Sequence, residues 1–347
     1  MDDGDRRPMT AASQESGDPA GAMAVPSALT PESIAEAAAA ALPALGVPAI
    51  CHLLQRAHGK EVHIVTGPNG GAIVKRGPSD RIRREVAVLR VVADALPGAA
   101  PAVLAALPAI DGFAMELLAL DRWSTWENAL IGGGGGAEAE PVGRLIARLH
   151  RAGRAEGRFR PAAEDGLASI REHTARTLLA AWQDDPPVRP IVAGLVEDVF
   201  SRRMSIAHGD LVLGNVMVGG PAPVLIDFEK SWFGDPSHDL GKLVGMAIGT
   251  QIFRPRRFEK APLRATLTGT FDAWRAAVDW EAPVAAEARA ALFAIATALA
   301  IARMLERRPE YRLPSLPAQI AAARGLLLGG VDRIAPIVEV LVPPDRA

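Results

Sequence analysis

One stretch of the sequence, HGDLVLGNVMV (residues 208–218), places polar side chains inside an otherwise apolar run. It holds His208, Asp210 and Asn215, and the Asn follows the Asp by five positions. A polar group in apolar surroundings costs free energy unless something bonds to it. The pattern therefore indicates a functional site on a loop between apolar segments.

The residues downstream extend this set in a way that suits phosphoryl transfer. PVLIDF supplies Asp227, and GDPSHDL supplies Asp235 and Asp239. That reaction needs a carboxylate to accept or orient a hydroxyl proton, and hard oxygen ligands for Mg²⁺ bridging the nucleotide phosphates. An Asp–x4–Asn spacing followed by a hairpin and an apolar-flanked Asp-Phe is the spacing described for kinase catalytic loops.

Three motifs resemble those of the aminoglycoside phosphotransferase and choline kinase family. The family pattern is H-G-D-L-H-x-G-N, then I-D-F or I-D-W, then G-D-P-x-x-D-L; this chain has HGDLVLGN, IDFE and GDPSHDL in that order. The resemblance implies a two-lobed, protein-kinase-like α+β fold, with a small antiparallel-sheet N-lobe and a mainly helical C-lobe. It also implies a kinase that moves the γ-phosphoryl group of ATP or GTP to a hydroxyl of a small molecule.

The same resemblance assigns roles to the motif residues. Asp210 is the catalytic base, or orients the acceptor hydroxyl, and His208 orients the catalytic loop. Asn215 and Asp227 would hold Mg²⁺. Asp239 is structural and would bond back to the backbone of the catalytic loop.

The acceptor is less well specified than the chemistry. Val212 stands where the family usually has a second His, which affects the loop near the acceptor. Asp227 and Asp239 are twelve residues apart, which leaves no room for a peptide-docking segment and favours a small-molecule alcohol. A polycationic aminoglycoside would need an acidic cleft, and an anionic, neutral sugar-like or macrolide-like acceptor stays open. Trp232 is the best candidate for stacking on a sugar ring.

Two other functions compete with this interpretation. One is a nucleotide-binding pseudokinase that acts as a scaffold, which is disfavoured because Lys75, Asp210, Asn215 and Asp227 are all present. The other is a kinase of a protein or of a metabolite that is not an antibiotic. Whether the chain confers antibiotic resistance, and whether it prefers ATP or GTP, the sequence does not specify.

The elements before the catalytic loop must position the nucleotide. Thr30-Pro31 indicates the start of a helix that stops near Leu42, and Asp111-Gly112 indicates a hairpin. Alternating apolar residues predict strands at Glu61–Thr66 and Ala72–Arg76, and helical spacing from Ile82 to Leu96 predicts a helix. We therefore predict a disordered tail (1–29), an N-lobe (30–118) and a helical C-lobe with the acceptor site (119–347).

The resemblance also selects nucleotide-binding residues in the N-lobe. Lys75 lies on a predicted strand, as a phosphate-binding lysine would, and Glu85 opens the next helix as its natural partner. The hinge stretch MELL, where the base meets backbone groups, supplies Met115, Glu116 and Leu117. The turn around His58-Gly59-Lys60 is the predicted nucleotide loop, because no G-x-G-x-x-G segment is present.

The bulk properties exclude several classes of function. A net charge of −2 argues against a general nucleic-acid binder. The one cysteine, Cys51, allows no internal disulfide and suits a reducing compartment. No signal peptide is apparent, and the apolar run at 290–302 is shorter than the roughly 20 residues of a membrane span. We predict a cytoplasmic enzyme without membrane or nucleic-acid partners, of undetermined oligomeric state.

Overall fold

The computed structural model describes residues 29–343, except positions 58, 120, 156, 158–166 and 309–312. Nearly all of the predicted disordered tail thus lies outside the described residues. The chain divides into two units: one holds the residues up to Ile82 together with Leu104–Glu116, and the other holds Arg83–Val103 and everything from Leu117 onward. Residues 83–103, which the sequence pattern places in the N-lobe, therefore group with the second unit.

Helix α1 (Pro31–Ala41) begins the first unit. Thr30 caps it, because its Oγ1 accepts a hydrogen bond from the backbone N–H of Ser33 at 3.3 Å. Pro31 fits the first turn, where a missing N–H costs nothing. The helix buries Ile34 and Ala38 in the core of this unit, which also contains Leu45, Val65, Ala72, Val74, Leu107, Ile110 and Ala114.

A five-stranded sheet carries that core. Its strands are β1 (Ile50–Ala57), β2 (Lys60–Gly67), β3 (Gly70–Arg76), β4 (Val103–Leu107) and β5 (Gly112–Glu116), in the order β1-β2-β3-β5-β4. Pairing is antiparallel from β1 to β2, β2 to β3 and β3 to β5. The two predicted strands are β2 and β3, each a little longer than its apolar alternation, because the Gly67–Gly70 pair at the turn extends the ladder.

Helix α2 (Ser79–Ala95) follows the sheet and passes into the second unit. It buries Leu89 and Val92 at the predicted helical spacing, and Val88 in addition. The residues just after it are fixed by a backbone bond, since the N–H of Leu225 donates to the carbonyl of Ala99 at 2.9 Å. That bond ties the end of this segment to the strand that precedes Asp227.

The described part of the second unit is mainly helical. Its helices are α3 (Trp126–Ile131), α4 (Ala139–Ala155), α5 (Leu167–Ala181), α6 (Arg189–Ser201), α7 (Ser237–Phe253), α8 (Lys260–Ala276), α9 (Pro283–Glu306), α10 (Leu316–Gly329) and α11 (Ile334–Leu341). Helices α7 and α9 approach closely because α7 presents glycines to α9. A Cβ at Gly241 would lie 2.7 Å from Phe293, and one at Gly245 would lie 2.6 Å from Ala294.

Short strands position the loops of this unit. Strand β7 (Ser205–Ala207) pairs antiparallel with β10 (Trp232–Gly234). A second small sheet has the order β6 (Ser124–Thr125), β8 (Val216–Val218) and β9 (Val224–Leu225). The stretch 208–215 therefore runs from the end of β7 to the start of β8, and Asp227 follows β9.

Helix α9 is the one described helix that is long and apolar enough to cross a membrane. It has 24 residues, but 67% of its most apolar window is buried inside the protein. The helix extends beyond the apolar run 290–302 at both ends. Buried core helices meet the same criterion of length and composition, so α9 is explained by its packing against α7 and α10.

Candidate active site

Gly209 shapes the loop that follows β7. Its φ of 79° lies in the left-handed region, and a Cβ there would collide with the carbonyl oxygen of Lys230. Only glycine satisfies both conditions without moving the backbone. The sharp turn that results brings His208 and Asp210 onto one short segment after the strand.

We expect Gly209→Ala to lower the free energy of unfolding by at least about 1–3 kcal/mol, because both backbone strain and a backbone collision oppose the methyl group. Gly194→Ala is the matched control. Gly194 lies inside α6, and a Cβ there would meet no atom within 4 Å. That control is expected to be neutral or stabilising by up to about 1 kcal/mol. Urea unfolding measures both, and equal effects at the two positions would contradict the account.

Asp239, in the first turn of α7, accepts hydrogen bonds from this turn. Its Oδ2 accepts the backbone N–H of His208 at 2.7 Å, and its Oδ1 accepts that of Gly209 at 3.0 Å. His150 also lies 3.1 Å from Oδ2 through Nε2, while its Nδ1 accepts the indole N–H of Trp274 at 3.0 Å. Those bonds fix the tautomer of His150, with the proton on Nε2 donated to Asp239.

The carboxyl of Asp239 is fully buried and stays ionised. Burial alone would raise its pKa, but the hydrogen bonds that it accepts, with His150 first among the side chains, hold the pKa far below its ordinary value. A buried charge is tolerated only when such donors surround it. Asp239 is thus positioned to hold the backbone of the catalytic loop.

His208 is buried and bonded on both ring nitrogens. Its Nε2 donates to the carbonyl of Ile226 at 2.9 Å, and its Nδ1 accepts the N–H of Asp210 at 3.3 Å. Burial lowers the pKa of His208, more than the neighbouring carboxylates Asp239 and Asp210 raise it. A neutral imidazole with both nitrogens engaged suits orientation of the loop, and leaves it no free nitrogen for proton transfer.

Asn215 connects the catalytic loop to the strand before Asp227. Its Nδ2 donates to the carbonyl of Asp210 at 2.9 Å, and its own carbonyl accepts the N–H of Ile226 at 3.0 Å. Because the amide nitrogen is engaged, Oδ1 is the atom that a metal ion could use. Asn215 thereby ties together the two segments that carry Asp210 and Asp227.

Asp227 belongs to a cluster of three carboxylates. It has a left-handed backbone (φ 67°) and precedes the short 3₁₀ turn Phe228–Lys230. Carboxylate oxygens of Asp227, Glu229 and Glu85 all lie within 4.8 Å of one another. A strained backbone at a non-glycine residue is a feature of functional sites, and three carboxylates form a donor set that suits Mg²⁺.

Sequence reasoning missed Glu229, and it did not place Glu85 beside Asp227. The motif IDFE contains Glu229, and its position two residues after Asp227 in a tight turn was the available signal. Lys75 lies on β3 of the first unit, opposite Val62 and Phe113 and buried. Glu85 lies in the part of α2 that belongs to the second unit. Their pairing stays a prediction.

The predicted hinge residues follow the last sheet strand of the first unit. Met115 and Glu116 end β5, where they pair with Ile73 and Ala72 of β3. The chain passes from the first unit to the second between Glu116 and Leu117. Of the predicted nucleotide loop, His58 lies outside the described residues, and Gly59 takes a left-handed conformation (φ 75°).

Both carboxylate oxygens of Asp210 are bonded to lysine side chains. Nζ of Lys230 donates to Oδ2 at 2.7 Å, and Nζ of Lys242 lies 2.6 Å from Oδ1. Burial would raise the pKa of Asp210, but the two ammonium groups outweigh it and hold the pKa well below its ordinary value. Asp210 is therefore ionised near neutral pH, and suits orienting a hydroxyl better than storing its proton.

The two lysines were not selected from the sequence. Lys230 directly follows the IDFE motif, and Lys242 lies three residues after Asp239, on the same face of α7. Each contacts Asp210 across a sequence separation of 20 or 32 residues. A solvated surface is the usual environment of a lysine, so only the folded arrangement identifies this pair.

One sequence-based interpretation needs correction, and the structure also shows the bonds of Asp235. Trp232 is fully buried and packs on Phe200 with ring centroids 4.9 Å apart, so it fills the core and cannot stack on a sugar. Asp235, to which the sequence assigned no role, forms a buried ion pair with Arg289 at 2.7 Å, and its Oδ1 accepts the N–H of Ser237 at 2.8 Å. Both residues support the start of α7.

Comparison with known proteins places the chain among phosphotransferases. Residues 53–277 match the phosphotransferase enzyme family, APH. A comparison with curated proteins found no match.

Several solved structures share the fold. A choline/ethanolamine kinase family protein from Mesorhizobium loti is 16% identical, with a TM-score of 0.51, and the match covers 89% of this chain and 98% of that one. The amicoumacin kinase hAmiN, in complex with AMP-PNP, Ca²⁺ and Ami, is 16% identical at TM-score 0.51, with coverage of 85% and 90%. Spectinomycin phosphotransferase APH(9)-Ia, in complex with ADP and its antibiotic, is 11% identical at TM-score 0.55, with coverage of 90% and 98%. The predicted protein-kinase-like α+β fold is confirmed.

Proposed function

Since this chain belongs to the phosphotransferase enzyme family, we propose that it moves the γ-phosphoryl group of ATP or GTP to a hydroxyl of a small molecule. Family membership makes it a phosphotransferase with an alcohol group as acceptor. One observation carries the rest of the proposal. The bonds of Asn215 and Asp239 hold the backbone around Asp210 and join it to the segment that bears Asp227.

Asp210 is the residue that meets the acceptor hydroxyl in this proposal. Its carboxylate keeps its charge near neutral pH, and Lys242, which also bonds to the carbonyl of Gly209, keeps it in position. Phosphoryl transfer proceeds through a loose transition state, in which the proton of the nucleophile need not leave early. A weakly basic but well-oriented carboxylate is adequate for that task, because positioning supplies most of the rate enhancement.

Asp227 and Glu229 are the proposed ligands of Mg²⁺, together with Oδ1 of Asn215. The donor set fits the ion, since carboxylate and amide oxygens are the ligands that Mg²⁺ prefers and the carboxylates lie within 4.8 Å of one another. When bound, Mg²⁺ neutralises negative charge on the phosphate oxygens. Glu85 belongs to the same cluster, which favours an additional role for it beside the metal. The Ca²⁺ and AMP-PNP bound to the amicoumacin kinase hAmiN support nucleotide and divalent-ion use here.

For the nucleotide itself, the residues selected from the sequence are retained as proposals. Lys75 would bind the phosphates, and the backbone of Met115, Glu116 and Leu117 would meet the base. Lys75 is buried on β3, and lysines are seldom buried unless they are paired. This burial supports a binding role for Lys75. The ADP bound to spectinomycin phosphotransferase supports the nucleotide assignment.

A transfer assay tests the proposal. Purified protein is incubated with γ-³²P-ATP or γ-³²P-GTP, Mg²⁺ and a panel of aminoglycosides, spectinomycin, macrolides, choline and sugars. We expect label on a small molecule and none on protein. Labelled protein would favour a protein kinase instead. Nucleotide binding without transfer to any acceptor would favour the nucleotide-binding scaffold.

A further inference from the structure

We propose that Lys230 makes the acceptor site selective for hydroxyl compounds that carry a negative charge, and that polycationic aminoglycosides are poor acceptors. The inference deepens the proposed function and rests on it, because it takes Asp210 as the residue that meets the acceptor hydroxyl. The substrate class is thus an alcohol bearing a carboxylate or phosphate close to the hydroxyl that reacts.

The bonds of Asp210 place positive charge beside any hydroxyl that it binds. Both of its oxygens already contact an ammonium group, at 2.7 Å for Lys230 and 2.6 Å for Lys242. A hydroxyl oxygen bonded to either carboxylate oxygen would lie about 2.7 Å from it, and hence within about 5.5 Å of a lysine nitrogen. Charges at such short range in a partly buried site interact strongly, so a cationic acceptor is repelled and an anionic one attracted.

The two lysines differ in what holds them. Lys242 is only 20% exposed and also donates to the carbonyl of Gly209 at 2.9 Å, so it is fixed to the loop. Lys230 is 48% exposed, and its long side chain can reach solvent. Lys230 is therefore the group that a substrate can meet, while Lys242 keeps Asp210 in position.

Other charged groups of the second unit also act on Lys230 and Lys242. Asp227 and Glu229 attract Lys230, but both belong to the carboxylate cluster proposed for Mg²⁺. On the side of α5, burial and then Lys230, Lys242 and Arg176 lower the pKa of His173, against the opposing effect of Asp210. Three cationic side chains thus act on His173, and two of them are the lysines that bind Asp210.

An anionic acceptor would also change the bonding of Lys230. The negatively charged group of the acceptor would form an ion pair with the ammonium of Lys230, which otherwise bonds to Oδ2 of Asp210. Oδ2 would then be available to the acceptor hydroxyl. A neutral acceptor leaves that lysine where it is, and a cationic acceptor has no group with which to displace it.

The test uses two series of acceptors, and within each series the compounds share a carbon skeleton and differ in charge. Glucuronate, glucose 6-phosphate, glucose and glucosamine form one series, and glycerate, glycerol and 3-aminopropane-1,2-diol form another, added to the panel above. The two anionic sugars separate a carboxylate from a phosphate preference. We measure kcat/KM for each with wild type, Lys230→Arg and Lys230→Glu. Arg144→Glu, at a position that is 68% exposed, is the control for the change in net charge.

We expect the wild type to favour anionic over cationic members by at least about tenfold, Lys230→Arg to keep that ratio, and Lys230→Glu to reverse it while Arg144→Glu does not. Preferred use of cationic acceptors by the wild type, or a ratio unchanged in Lys230→Glu, would overturn the inference and leave the proposed function standing. No transfer to any acceptor would instead reject the proposed function, and this inference with it.

Discussion

Replacing Asp210 with Asn is expected to lower kcat by about 10²–10⁴-fold, with little change in the affinity for nucleotide. Asn keeps the size of the side chain and a carbonyl oxygen for one lysine. It loses the charge that both Lys230 and Lys242 contact and that, in the proposed function, orients the acceptor hydroxyl. Steady-state transfer to the best acceptor gives kcat, and calorimetric titration with AMP-PNP gives the affinity.

Asp279→Asn is the matched control for this substitution. Asp279 is a surface carboxylate, 57% exposed, which pairs with Arg151 at 2.9 Å. It is expected to keep wild-type kcat, because exposed ion pairs contribute little. Thermal unfolding of Asp210→Asn shows whether the variant is folded. A folded variant with kcat within about threefold of wild type would rule out Asp210 as the residue that acts on the hydroxyl.

The second large effect is expected at the carboxylate cluster. Asp227→Asn should raise the Mg²⁺ concentration for half-maximal activity by at least about 100-fold, since loss of even an outer-sphere partner of a metal ligand costs 10–100-fold. Glu229→Gln should have a smaller effect of the same kind, because it is the second carboxylate of the set. The measurement is activity against Mg²⁺ concentration at fixed nucleotide.

The metal dependence separates a ligand from a merely structural carboxylate. A structural role predicts that both variants lose stability and kcat while the Mg²⁺ midpoint stays where it is in the wild type. Asp279→Asn again serves as the exposed control. An unchanged midpoint in a folded Asp227→Asn would remove this residue from the proposed metal site.

Local patterns predicted the framework of the site well. The order and spacing of HGDLVLGN, IDFE and GDPSHDL were sufficient for the family and for the fold, because each motif is one short contiguous segment with local backbone requirements. The expectation that Asp239 bonds to the catalytic loop agrees with its bonds to the N–H groups of His208 and Gly209, although its catalytic significance stays a prediction. Local turns leave such signals because a glycine or a carboxylate is required at a fixed place.

Long-range pairings could not be predicted in the same way. Lys230 and Lys242 reach Asp210 only because β7 pairs with β10 and α7 follows. The position of Trp232 in the sequence is compatible with a side chain in a pocket or in the core. Only the packing of Phe200 and His238 against it shows that it lies in the core. The grouping of Glu85 with Asp227 likewise depends on how residues of α2 pack within the second unit, which the helical periodicity of α2 does not specify.

The most direct test of the central claim is a structure of the protein with Mn²⁺ and AMP-PNP, with the metal located by its anomalous scattering. We predict a Mn²⁺ ion bonded to the carboxylate of Asp227, with the γ-phosphate facing Asp210. A nucleotide-bound ion with no bond to Asp227, Asn215 or Glu229 would contradict the account of this site.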